Sequence, residues 1–129
     1  MKRVTGIGGI FFKSDDPEKL YRWYADHLGI QRDETTAVTF HSRDADDPTK
    51  KDRTIWAIFP KRTEYFGPGN STFMMNYRVE NLDALLETLA KESVEIDPRR
   101  ENHEYGRFAW IVDPEGHRIE LWEPPKEPA

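Results

Sequence analysis

The chain has 129 residues, with 19 Lys and Arg against 24 Asp and Glu, and a formal net charge of −5. Its aromatic content of 12% argues against disorder, and the absence of Cys excludes disulfides, thiolate metal ligands and a cysteine nucleophile. The acidic balance argues against a sequence-independent nucleic-acid binder, because binding to phosphates needs clustered positive charge. No apolar run approaches the roughly 20 residues of a membrane span, and no signal-type apolar core is present. We therefore expect a soluble, cytoplasmic protein without nucleic-acid or membrane partners.

The first half of the sequence predicts a strand, a helix and three short strands. Val4–Lys13 is rich in β-branched and aromatic residues, which favour a strand. Asp16 and Pro17 suit the N-cap and first position of a helix, and Gly29 suits its end. Further strands are predicted at Ile30–Arg32, Ala37–Ser42 and Thr54–Pro60, with a polar loop at Arg43–Arg53.

The second half predicts the same order of elements. Phe73–Val79 has the pattern of a strand, and Asn81 is an N-cap candidate for a helix that ends near Lys91. Three strands are predicted to follow, at Val94–Ile96, Arg107–Val112 and Arg118–Glu123.

The repeated order predicts two β-α-β-β-β modules in a single domain. The predicted helices begin at Pro17 and Leu82, which are 82 − 17 = 65 residues apart. We expect module one at residues 1–62, a linker at about 61–72 and module two at 73–125. Each half is too small to bury a core alone, so the halves should pair with each other or exchange with another subunit.

Alternation along the strands separates two faces of the predicted sheet. One face is almost wholly apolar, through residues such as Ile10, Trp56 and Leu121, and should pack under the helices. The other face mixes small, aromatic, amide and charged residues. A solvated sheet face and a concave pocket are both consistent with this mixture, and small residues at strand centres favour the pocket.

Three stretches of the chain carry a family signature: Gly8–Phe12 with Asp16–Tyr24, Asn76–Ala84 and, most strongly, Phe108–Pro124. They resemble the vicinal oxygen chelate superfamily, which includes glyoxalase I, bleomycin-resistance proteins and extradiol dioxygenases. The resemblance implies an α+β fold in which two βαβββ modules form a U-shaped mixed sheet around a pocket, with the helices on the outer face. It is specific for the fold and not for a reaction.

The resemblance also implies where metal ligands would lie. In the metal enzymes of this superfamily, the first and last strand of each module each supply one ligand, typically His, Gln or Glu. These four positions fall on Gly9, Ala57, Met74 and Glu120. Gly and Ala have no donor side chain, and a thioether is a poor ligand for hard or borderline divalent ions. We therefore expect neither a metal nor another cofactor, and no true glyoxalase I activity.

Two alternatives to this interpretation of Glu120 remain open. His41, or His103 in a loop predicted at Arg99–Tyr105 over the pocket mouth, could rebuild a metal site with Glu120. The chain would then be a metal-dependent lyase, isomerase or dioxygenase with a non-standard ligand set. Alternatively, Glu120 could be structural, in an ion pair with Arg118, Arg78 or Lys13.

The leading hypothesis is a metal-free pocket that binds a small molecule and could also convert it. The predicted ligand-binding residues are Phe11, Lys13, Ala57, Phe59, Met74, Asn76, Arg78, Tyr105 and Trp122. Glu120 would be the catalytic general base, and Tyr105 would offer its phenol to the ligand or cover the end of the sheet. Lys13, Arg78 and Arg118 outnumber Glu120 on this face, so we expect an anionic ligand.

A homodimer is also expected. The aromatic-rich strands and Tyr65-Phe66 in the linker indicate more apolar surface than one small subunit can cover. Tyr65-Phe66 is consistent with an aromatic lid and equally with an interface anchor. A third hypothesis is a module without a ligand that serves dimerisation or interaction.

Overall fold

The structure is a computed structural model that describes residues 2–126. Its elements are β1 (Val4–Ser14), α1 (Pro17–Leu28), β2 (Val38–Arg43), β3 (Lys51–Pro60), β4 (Phe73–Val79), α2 (Leu82–Lys91), β5 (Glu95–His103), β6 (Gly106–Val112) and β7 (Arg118–Glu123). Hydrogen bonds join the strands in a seven-stranded sheet of order β2-β3-β1-β4-β7-β6-β5. Parallel and antiparallel pairs both occur in this sheet, which confirms the predicted α+β fold class. Within the described residues, neither helix has the length and apolar character that a membrane span requires.

The chain divides into two compact units. The first unit is Gly9–Phe73, and the second unit consists of residues 2–8 and 74–126 of the described chain. Strand β1 therefore contributes residues 4–8 to the second unit and residues 9–14 to the first.

In the first unit, helix α1 lies over the apolar face of its strands. Asp16 caps α1 as predicted, because its Oδ1 accepts the Lys19 backbone N–H at 3.2 Å. Strand β3 pairs in parallel with β1 and antiparallel with β2. The core consists of Tyr21, Val38, Trp56 and Ile58, with partly buried Ile10 and Phe12 against it.

The strand predicted at Ile30–Arg32 does not form, so α1 is followed by two strands rather than three. Gly29 takes a left-handed conformation with φ of 69°, and the Ile30 backbone N–H donates to the Tyr24 carbonyl at 3.2 Å. The helix end therefore uses the group that a strand would need for pairing. The Arg32 side chain turns back to α1, where it binds Glu18 through two hydrogen bonds of 2.8 and 2.6 Å.

In the second unit, helix α2 covers the apolar face of the sheet. Asn81 caps α2 as predicted, accepting the Ala84 backbone N–H at 3.0 Å. Strand β7 pairs in parallel with β4 and antiparallel with β6. The buried core consists of Val79, Leu82, Leu85, Leu86, Ala109 and Leu121.

Strand β5 is longer than the prediction, and the loop expected at Arg99–Tyr105 is wrong. β5 runs from Glu95 to His103, which leaves a short turn through Glu104 and Tyr105. The pairing with β6 shifts register between Ile96 and Arg100, at the position of Pro98. Pro has no backbone N–H to donate to a sheet, and the structure accommodates it at this irregularity of the pairing.

Candidate functional site

Three polar or indole-bearing side chains form a row across adjacent strands of the second unit. Glu120 on β7 lies opposite Asn76 on β4 and opposite Trp110 on β6. Asn76, Glu120 and Trp110 are 2%, 1% and 0% exposed, respectively. Among the described residues, Glu120 is the only buried acid. The row therefore holds a carboxyl group away from water.

The row is joined by hydrogen bonds to both oxygens of Glu120. Asn76 Nδ2 donates to Glu120 Oε1 at 2.6 Å, and Trp110 Nε1 donates to Glu120 Oε2 at 3.0 Å. Trp110 was missing from the predicted site residues. Its place two residues after Phe108 indicated its face, but only the register of the β6–β7 hairpin places its indole N–H against Glu120.

Two glycines give the polar side chains of β4 their space. A Cβ on Gly8 would lie 2.3 Å from Asn76 Oδ1 and 2.8 Å from Trp122 Cε3. A Cβ on Gly6 would lie 2.2 Å from Arg78 Nη2. The glycines thus allow Asn76 and Arg78 to lie flat against β1.

The two arginines predicted to attract an anion have partners within the second unit. Arg78 is buried and its Nη1 donates to the Ile7 carbonyl at 2.7 Å. Arg118 Nη1 donates to Asp97 Oδ2 at 2.6 Å, and this hydrogen bond, with a backbone N–H from Arg99, holds the pKa of Asp97 below its ordinary value. The guanidinium carbons of Arg99 and Arg118 lie 5.4 and 5.3 Å from the centre of the Trp110 ring.

The predicted ligand residues Trp122 and Tyr105 lie at one end of the same unit. Trp122 Nε1 donates to the Tyr105 carbonyl at 2.8 Å, and the Trp122 ring stacks on Phe108 at 6.2 Å. The Tyr105 ring is 61% exposed and stacks on His103 at 4.8 Å. His103 in turn bonds to Glu101 at 2.8 Å, and this hydrogen bond lowers the pKa of the Glu101 carboxyl.

In the first unit, the predicted stacking residues Phe11 and Phe59 belong to an aromatic cluster. Phe59 contacts Phe11 edge-on at 5.5 Å, stacks on Tyr65 at 5.4 Å and meets Phe66 at 5.3 Å. Phe66 is 1% exposed, so it anchors the segment after β3 within its own unit. The Lys13 ammonium lies 5.1 Å from the centre of the Phe66 ring.

Two open clefts of the first unit contain the remaining predicted residues. A cleft of about 780 Å³ is lined by Lys13 and Lys61, by the acids Asp15 and Glu64, and by the loop 67–72. A second cleft of about 680 Å³ is lined by Ala57 and Phe59, with Tyr21 and Arg32.

The donor set at the four family positions does not suit a divalent ion. In the first unit, Gly9 and Ala57 have no donor side chain; in the second, Met74 offers a buried thioether. Both oxygens of Glu120 already accept an N–H group, so a metal ion could use only the lone pairs that these hydrogen bonds leave. His41 is exposed on β2, and within residues 2–126 no group of three or more His, Cys, Asp or Glu is placed to hold a metal.

The second unit has the order βαβββ, the sheet is mixed and seven-stranded, and a buried acid lies on the last strand. Together these features are those of a modular α+β protein. The chain belongs to the Glyoxalase/Bleomycin resistance protein/Dioxygenase superfamily, whose family model matches residues 6–121. The resemblance stated from the sequence is thereby confirmed.

Solved structures share this fold at low sequence identity. Methylmalonyl-CoA epimerase from Mycobacterium tuberculosis is 19% identical with a TM-score of 0.61, over 98% of this chain and 92% of that one. A Streptomyces coelicolor methylmalonyl-CoA epimerase variant in complex with 2-nitronate-propionyl-CoA is 12% identical with a TM-score of 0.69, over 95% and 99%. The 2,3-dioxygenase LapB from Pseudomonas sp. KL28 is 20% identical with a TM-score of 0.63, over 96% of this chain and 42% of that one. At these identities the likeness shows the fold alone, and no curated protein matches the sequence.

Proposed function

We propose that this chain binds a small organic acid and does so without a metal ion. The observation that carries the metal-free part is that each oxygen of Glu120 already accepts an N–H, one from Asn76 and one from Trp110. The three other family ligand positions hold Gly9, Ala57 and Met74, which supply no suitable donor.

Lys13 is the cation that we assign to the acid. Arg78 is bound to a backbone carbonyl and Arg118 to Asp97, whereas no carboxylate of residues 2–126 lies within ion-pair distance of Lys13. The Lys13 side chain is half-buried and lines the larger cleft of the first unit. Lys61 lines the same cleft but lies 3.4 Å from Asp15, with which it pairs. A small acid would place its carboxylate on Lys13 and its body beside Leu20 and Pro68, in a cleft whose other lining side chains are mostly polar.

The ligands named for structural relatives are consistent with an acidic ligand. The Streptomyces coelicolor epimerase is bound to 2-nitronate-propionyl-CoA, and another epimerase structure contains methylmalonyl-CoA. Nitronate and malonyl groups are anionic at neutral pH. The general-base role of Glu120 stays a prediction, because it depends on a ligand that has yet to be identified.

A thermal-shift comparison of matched acids and amines tests this proposal. Benzoate and phenylacetate should raise the Tm in a concentration-dependent manner, whereas benzylamine and phenethylamine should not. Lys13→Met keeps the apolar stem and removes the charge, so it should weaken acid binding about tenfold. Lys50→Met, at an exposed loop position, is the matched control and should leave the response unchanged. Equal responses to amines, or an acid response that survives Lys13→Met, would refute the proposal.

A further inference from the structure

Glu120 is a buried acid, and each of its two oxygens accepts a hydrogen bond from a neutral side chain. Transfer of a carboxylate out of water is costly unless hydrogen bonds or a cation compensate for the lost hydration. Here Asn76 and Trp110, from the two strands that flank β7, direct one N–H to each carboxylate oxygen. Trp can only donate at its indole nitrogen, so the bond to Oε2 has a fixed direction.

The Asn76 amide donates to Glu120 in an orientation that leaves its own oxygen without a hydrogen-bond donor among the described residues. This oxygen, Asn76 Oδ1, lies where a Cβ on Gly8 would be 2.3 Å away. A buried acceptor without a donor destabilises the fold, because it has lost its hydration without a replacement hydrogen bond. The contact between Asn76 Nδ2 and the carboxylate therefore decides the orientation of the amide.

We infer that Asn76 and Trp110 are positioning residues that make the buried Glu120 carboxylate independent of a metal ion. This inference deepens the metal-free part of the proposed function and rests on it. Its direct consequence concerns Asn76. A single exchange of its amide for a carboxyl group would place two acids side by side at hydrogen-bond distance. Such a pair either retains one proton between the two groups, which costs stability at neutral pH, or binds a divalent cation.

The test uses stability, and its key variant is Asn76→Asp. Asp is ionised in the unfolded chain at pH 7, so a folded pair of adjacent carboxyl groups, whether both are ionised or they share a proton, should lower the Tm by roughly 5–10 °C in the presence of EDTA. Addition of 1 mM Mn²⁺ or Zn²⁺ should recover at least about half of that loss, because the cation binds the folded carboxylate pair. Asn70→Asp, in an exposed loop, is the matched control and should show neither effect.

The double variant Asn76→Asp with Glu120→Gln provides a rescue that needs no metal. The amide introduced at position 120 would donate its N–H to the carboxylate introduced at position 76, and its oxygen would accept the Trp110 indole N–H. The polarity of the first bond is thus reversed, and both bonds are kept. The double variant should be more stable than Asn76→Asp alone and should no longer respond to Mn²⁺ or Zn²⁺. A role of Asn76 in packing alone would produce neither the metal response nor the rescue.

Several outcomes would overturn the inference. One is an Asn76→Asp variant that keeps the wild-type Tm and ignores both cations. Another is a double variant that is no more stable than the single one. If Asn76→Asp does not fold, refolding with Mn²⁺ and expression of the double variant take its place, and failure of both counts against the inference. The acid probes play no part here, so a chain that binds no acid but gives the expected order of stabilities would lose the proposed function and keep this inference.

Discussion

Asp97 and Arg118 form a partly buried ion pair, with side chains 27% and 11% exposed. Two hydrogen bonds, from Arg118 and from the Arg99 backbone, lower the pKa of Asp97. Because the folded value lies below the unfolded one, this pair stabilises the fold above the unfolded pKa of about 3.9. Its contribution is lost as the pH falls through the lower, folded value.

Asp97→Asn should therefore reduce stability in a pH-dependent manner. At pH 7 the free energy of unfolding should fall by roughly 1 kcal/mol, and the difference from wild type should vanish near pH 2. Urea unfolding of wild type and Asp97→Asn at pH 7 and near pH 2 measures this difference in the free energy of unfolding. Asp15→Asn removes a far more exposed pair with Lys61, at 3.4 Å, and should have almost no effect. A deficit of Asp97→Asn that stays constant with pH would contradict the assignment.

Among the secondary-structure elements, strand β3 has an edge that Tyr21 protects. Pairing of β3 with β2 ends at Trp56, and beyond it the Ile58 backbone N–H donates to the Tyr21 hydroxyl at 2.8 Å. Pro60, which follows, has no N–H to offer. The phenol on α1 thus satisfies a buried strand group that no further strand reaches.

Tyr21→Phe should leave this N–H without its acceptor. Loss of a buried hydrogen-bond partner costs about 1–3 kcal/mol, and hydrogen exchange of the Ile58 amide should accelerate in proportion. Tyr24→Phe is the matched control, since Tyr24 is on the same helix and packs on the same core. It should stay within about 0.5 kcal/mol of wild type. Equal losses for the two variants would show that the hydroxyl of Tyr21 has no special role.

The elements that sequence reasoning predicted best are those with local signals. The helix ends were predicted correctly at Asp16, Asn81 and Gly29. These residues act through contacts with nearby residues in the sequence, so the local sequence pattern is enough to predict them. The strand at Ile30–Arg32 was wrong because apolar composition does not show that the helix end and Glu18 already bind this segment. β5 was predicted too short because the strand continues past Pro98 through a register shift, and that shift depends on pairing with the partner strand.

The sequence predicted the sheet face on which the candidate site residues lie, but it did not predict which of these residues contact each other. Alternation placed Asn76, Arg78 and Glu120 on one face, and the structure buries all three. Which of them touch depends on strand register, which is set across sequence separations of 44 residues for Asn76 and Glu120. For the same reason the sequence left open an ion pair of Glu120 with Arg118, Arg78 or Lys13, and it did not indicate the hydrogen bonds that Glu120 accepts from an amide and an indole.

At the scale of the whole molecule, the net charge is relevant to the predicted anionic ligand, and the exposed apolar surface is relevant to the predicted homodimer. The net charge of −5 does not exclude an anionic ligand, because surface acids more than about 8 Å away are screened at physiological salt. The homodimer stays a prediction. The Tyr65-Phe66 segment does not supply its interface anchor through Phe66, which is buried in its own unit, while Trp23 on α1 and Phe73 are 50% and 59% exposed.

The metal content of the whole protein is the last prediction. Purified without a tag, the chain should contain far less than one equivalent of Zn, Ni, Mn or Fe, and EDTA should leave its Tm and its response to benzoate unchanged. The physical reason is that a single carboxylate, already bonded to Asn76 and Trp110, offers a divalent ion too few ligands to complete a coordination shell. Elemental analysis of the wild type beside Glu120→Gln measures this directly. A stoichiometric metal that Glu120→Gln removes would instead favour the alternative of a metal-dependent enzyme with a non-standard ligand set, and the acid probes would then have to be repeated on the metal-loaded protein.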